Sequence, residues 1–71
     1  MKLSRYMARE GLDDEAMAAR IRTDAIKCDR TMISRYRLGR RRPEWAMINR
    51  IAEVTGEAVT ADDWMRLEAA S

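Results

Sequence analysis

Apolar residues recur along this chain at intervals of three and four, and no segment shows the two-residue alternation of a strand. The inward positions group as Leu3, Tyr6 and Met7; Met17, Ala18 and Ile21; Ile33 and Tyr36; Trp45, Ile48, Ile51 and Ala52; and Trp64 with Leu67. Three times the same punctuation precedes such a stripe: an apolar residue, a capping residue, then an apolar residue five positions after the first. Leu12, Asp13 and Met17, then Cys28, Asp29 and Ile33, then Val59, Thr60 and Trp64 follow it, each reading as a hydrophobic staple around a helix N-cap. Thr60 to Asp63 adds a T-x-x-D capping box, and Gly11, Gly39 and Gly56 stand where a left-handed residue ends a helix. The pattern predicts five helices over 2–10, 13–22, 29–38, 44–55 and 60–69, an all-α compact bundle of four to five short helices in a single domain spanning 1–71.

The 71 residues lie near the lower limit at which one core holds without metal or disulfide. A content of 46% hydrophobic and 37% charged residues is that of a folded globular protein. No apolar run approaches the ~20 residues of a membrane span, and Met1 leads straight into a charged amphipathic pattern with no secretory signal. The expected location is cytoplasmic, with no membrane partner. A lone cysteine, Cys28, excludes an internal disulfide and reads as a small apolar staple residue. Histidine is absent, which removes the commonest general base and transition-metal ligand. Asp62 and Asp63 could serve as an acid and base pair, but acids just after a cap are ordinary helix-start charges. The sequence therefore points away from an enzyme, with no catalytic residues, metal, cofactor or small-molecule ligand expected.

Charge is the most informative feature. The net charge is only +2, yet the stretch from Arg30 to Arg42 holds six arginines and no acid. The remaining eight basic residues face twelve acidic ones, so a basic patch of +6 sits on a body of −4. Such asymmetry points to a polyanionic partner; the bland alternative is a solvated charge run. With the third helix beginning at Asp29, residues Arg30, Thr31, Ser34 and Arg35 share one face while Ile33 and Tyr36 turn to the core. A DNA major groove admits such a helix; Arg pairs with guanine O6 and N7, and Ser and Thr reach several base edges. These four are the candidate base-reading residues. Lys27, Arg37, Arg40, Arg41 and Arg42 are the candidate phosphate contacts, the last three in a loop past Gly39.

The run MISRYRLGRRRP resembles the recognition helix and following loop of the lambda-repressor/Cro helix-turn-helix family. GLDDEAMAARI is similar to the start of that family's second helix, and RIAEVTGEAVTADDW to the C-terminal helices of its small regulators, so the likeness covers Leu3 to about Trp64. It implies that helices two and three form a helix-turn-helix, that the third enters the major groove, that Arg30, Thr31 and Arg35 fall on base-reading positions with Ser34 close by, and that Arg40 and Arg41 meet phosphates. Two features depart from the family. Ile21 and Asp29 are eight residues apart and the turn glycine is missing, so either RTDAI is an insertion in the turn or helix two runs on to Ile26; the Met17, Ala18, Ile21 spacing favours the insertion. Helix two also begins with Asp13, Asp14 and Glu15, which suit the helix dipole but repel DNA; Lys27 in the lengthened turn is a compensating charge.

Two functions follow as expectations. One is a sequence-specific regulator of double-stranded DNA, a repressor of bacterial, phage or mobile-element origin, acting as a homodimer on an inverted repeat. Trp64 and Leu67 on the short last helix are the candidate dimer interface. The other is a protein-interaction module, such as an antitoxin holding an acidic partner.

Overall fold

The computed structural model describes the backbone of residues 1–69 and the side chains of residues 1–65. Five helices succeed one another, α1 (Leu3–Glu10), α2 (Asp14–Ile21), α3 (Arg30–Arg37), α4 (Trp45–Val54) and α5 (Ala61–Ala69), with no strand among the described residues. None of the helices is long and apolar enough to cross a membrane.

The caps act where the sequence placed them. Asp13 accepts from the Ala16 N–H at 2.7 Å and Asp29 from the Met32 N–H at 2.9 Å. At α5 the box closes through Asp63, whose Oδ2 accepts from the Thr60 N–H at 2.8 Å and from its hydroxyl at 3.3 Å. The staples close too, because Met17, Cys28, Ile33, Val59 and Trp64 are buried and Leu12 packs against the same cluster. Each such side chain removed from water contributes about 1.5–3 kcal/mol before entropy is counted.

The core is one cluster. Leu3, Tyr6 and Met7 of α1, Met17, Ala18 and Ile21 of α2, and Ile33 and Tyr36 of α3 meet there as the periodicity predicts. On α4 the register differs from expectation. Met47, Ile48 and Ile51 are buried while Trp45 is 67% exposed, because the core arc runs from Met47 to Ile48 and leaves Trp45 at its outer edge in the first turn. Thr55 is buried: its hydroxyl donates to the Ile51 carbonyl at 2.7 Å and accepts from the Val59 N–H at 3.2 Å, joining the end of α4 to the segment that leads into α5.

Helix α2 does not run on to Ile26; it stops at Ile21 for two reasons. Arg50, reaching across from α4, donates to the Ile21 carbonyl at 2.9 Å and to the Arg20 carbonyl at 3.3 Å, occupying acceptors that a longer helix would use itself. Thr23 then folds the chain back, exchanging backbone hydrogen bonds with Ile26 and accepting the Ala25 and Ile26 N–H groups on its hydroxyl. Ile26 is partly buried against the core, and Arg22 Nε donates to the Cys28 carbonyl at 3.1 Å. The most extensive helix contact in the molecule is still that of α2 with α3.

Candidate nucleic-acid interface

The face of α3 opposite Ile33 and Tyr36 carries the basic residues. Tyr36 meets Trp64 edge-on, ring centroids 6.1 Å apart, which fixes the helix's roll about its axis. Arg30, Thr31 and Arg35 are thereby exposed and Ser34 half-buried. At the helix end Gly39 adopts φ 72°, its N–H meets the Tyr36 carbonyl at 3.1 Å, and the Arg40 N–H returns to the Arg35 carbonyl at 2.9 Å. This paired closure needs a left-handed residue, which glycine supplies without strain.

The result is one open depression lined by Asp14, Arg30, Thr31, Ser34, Arg35, Leu38 and Arg40. All four residues expected to read bases lie in it together. Arg40 lies there as well, although the sequence placed it in a loop with nothing to aim it; the closure onto Arg35 holds its backbone. Arg30, Arg35, Arg40 and Arg41 form no ion pair among the described residues. Like charges gathered this way repel, and a polyanion relieves the cost.

The three acids at the start of α2 are all engaged. Asp13 caps its own helix, Glu15 lies 3.3 Å from Arg22, and Asp14 is held by Arg37 through two hydrogen bonds of 2.8 and 3.0 Å. The Arg37 bonds hold the Asp14 carboxyl below its ordinary range, against the opposing effect of burial. Arg37, expected at a phosphate, is thus committed within the chain: it sits on the flank of α3 that faces α2 and locks the two helices together. The same pair offsets the charge of Asp14, one of the three α2 acids that would repel a polyanion.

Lys27 is exposed in the connection just before α3 and is not among the residues lining the depression. Arg41 is exposed beyond the helix end. Arg42 lies apart from α3's basic face, in a groove between α4 and α5 with Pro43, Trp45, Ile48, Ala61 and Met65. The expected dimer contact at Trp64 is corrected: its side chain is 3% exposed, spent on the core of its own chain against Tyr36. The side chain of Leu67 lies outside the described residues. The exposed apolar groups of this region are Trp45 and Met65, the latter at 58%. Cys28 is buried, and burial, reinforced by Asp29, pushes its thiol up and keeps it protonated.

Two residues of the depression were missed in the sequence, Asp14 and Leu38. Leu38 had a signal, since it stands three after Arg35 and four after Ser34 and so continues their face. Asp14 had none, because its partner is remote in sequence. Comparison with protein-family models, curated proteins and solved structures finds no match to this chain.

Proposed function

We propose that this protein is a sequence-specific double-stranded DNA-binding regulator, acting in the cytoplasm as a repressor of bacterial, phage or mobile-element type, with α2 and α3 as its helix-turn-helix. The observation that carries the reading is the convergence of Arg30, Thr31, Ser34, Arg35 and Arg40 on one depression of a helix whose other face is locked into the core. A B-DNA major groove about 12 Å wide admits such a helix, with bidentate Arg–guanine pairs and hydroxyl contacts as the discriminating bonds. Lys27 and Arg41, exposed at either end of α3, supply phosphate contacts that set register without reading sequence.

A helix of eight residues covers only a few base pairs, so specificity calls for two copies on an inverted repeat. The second copy docks through Trp45 and Met65, exposed together on a groove floored by Ile48 and Ala61.

Selection of bound duplexes from a random library tests the reading. An enriched inverted repeat supports it. Absence of any preferred duplex, with binding that random DNA cannot compete away but an acidic protein can, would replace it with the protein-interaction module.

A further inference from the structure

Three large apolar side chains are markedly exposed among the described residues: Leu38 at 52%, Trp45 and Met65. Trp45 and Met65 share the α4–α5 groove. Leu38 stands apart, in the basic depression between Ser34, Arg35 and Arg40. A single exposed leucine ordinarily means little. This one is ringed by side chains that keep water and charge, its backbone is fixed by the closure of α3 at Gly39, and the core makes no use of it.

In the major groove the bases offer nitrogen and oxygen atoms at nearly every position. The distinctive apolar group there is the thymine C5-methyl. We propose that Leu38 is a specificity-determining residue that recognises a thymine methyl in each half-site, an inference that rests on the DNA-binding reading above. Leu38 follows Arg35 by three residues, a rise of about 4.5 Å along the helix. Base pairs are stacked about 3.4 Å apart. The thymine therefore lies about one or two steps from the base pair that Arg35 reads. The preference differs in kind from that of the arginines: it depends on burying a methyl group and is insensitive to salt, whereas arginine contacts weaken as salt rises.

Replacing thymine by uracil removes that methyl and leaves every hydrogen-bonding group of the pair intact. The test takes the duplex enriched by selection, substitutes uracil for each thymine in turn, and measures the affinity of the wild-type chain and of Leu38→Ala by fluorescence anisotropy. One thymine per half-site is expected to matter, its uracil duplex binding the wild type about fourfold more weakly. Leu38→Ala should bind the thymine and uracil duplexes equally, at the reduced level. Indifference of the wild type to every uracil substitution, with an enriched duplex in hand, overturns the role of Leu38 and leaves DNA binding standing; so does an unchanged thymine preference in Leu38→Ala. A selection that enriches no duplex overturns both. The wild-type arm needs no variant to fold.

Discussion

Arg37 grips Asp14 with two parallel hydrogen bonds, Nε to Oδ1 at 2.8 Å and Nη2 to Oδ2 at 3.0 Å, joining the flank of α3 to the first turn of α2. The carboxyl titrates below its ordinary range. Its contribution to stability is therefore fully present above the unfolded-state value of about 3.9 and is lost as pH falls through the lower folded value. Urea melts of the wild type and Asp14→Asn should differ at neutral pH, begin to close near the unfolded-state value and converge only below the lowered folded one. A gap that persists into acid would mean that Asp14 acts by something other than its charge.

The same pair separates two roles for Arg37. If its task is to neutralise Asp14, Arg37→Ala weakens DNA binding by leaving a carboxylate beside Arg30 and Arg35, and adding Asp14→Asn restores most of the loss. A phosphate contact predicts no recovery in the double variant, so filter binding on the three proteins decides between them.

Arg35 leaves the middle of the exposed face of α3, one turn in, where a bidentate pair with guanine is geometrically natural. Arg35→Ala is expected to cost about 1–3 kcal/mol on the enriched duplex and to relax preference at one base pair. Equal losses on enriched and random duplexes would remove Arg35 from the base-reading set.

Arg41 and Arg40 should part company. Arg41→Ala weakens binding alike on all sequences and shallows the slope of log affinity against log salt by about 0.9 per subunit, one phosphate's worth of released counterion. Arg40→Ala, whose backbone is tied to Arg35, should also lower the ratio of specific to random affinity. Salt series on both duplex types give slope and ratio together.

Gly56 and Glu57 are consecutive left-handed residues, at φ 62° and 69°. A Cβ at Gly56 meets nothing within 4 Å, so Gly56→Ala isolates the conformational cost, about 1–2 kcal/mol. Glu57→Gly works in the opposite direction, relieving that strain at an entropic cost of about 0.5–1 kcal/mol, for a net gain of roughly half a kcal/mol. Thermal melts that move both variants the same way would contradict this account.

Trp45 anchors the proposed contact between copies. Trp45→Ala should weaken self-association roughly thirtyfold, as loss of a central tryptophan typically does. Sedimentation equilibrium measures it, and a wild type that stays monomeric at micromolar concentration removes this surface from the proposal.

The starts of α2, α3 and α5 and the stops of α1, α3 and α4 were legible because they rest on local chemistry: a carboxylate or hydroxyl within three residues of the N–H it serves, and a glycine able to turn left-handed. The four residues on the exposed face of α3 were legible for the same reason, since periodicity alone separates them from Ile33 and Tyr36. What escaped was decided by partners distant in sequence. Arg37 looks like any other basic residue until Asp14 is beside it, and Trp45 fits the helical period of α4 as well as Met47 does until the other helices choose the arc. Trp64 reads both as an inward staple residue and as an interface residue; the local staple is the better guide, and Tyr36 covers its ring. The end of α2 was ambiguous because Arg50, on another helix, takes its last carbonyls.

The hairpin-like fold of Thr23 and Ile26 has a consequence for how the two helices are held in register. Closing a loop grows dearer only with the logarithm of its length, about 0.6 kcal/mol for each doubling, so the length of this connection costs little. The orientation of α3 is fixed by the Arg37–Asp14 pair and the shared core, which makes the connection a tether with its tip, Asp24 and Ala25, turned to solvent. That tip is a splice point: a fluorophore or an epitope grafted between Asp24 and Ala25 would open the Thr23 turn but interrupt no helix.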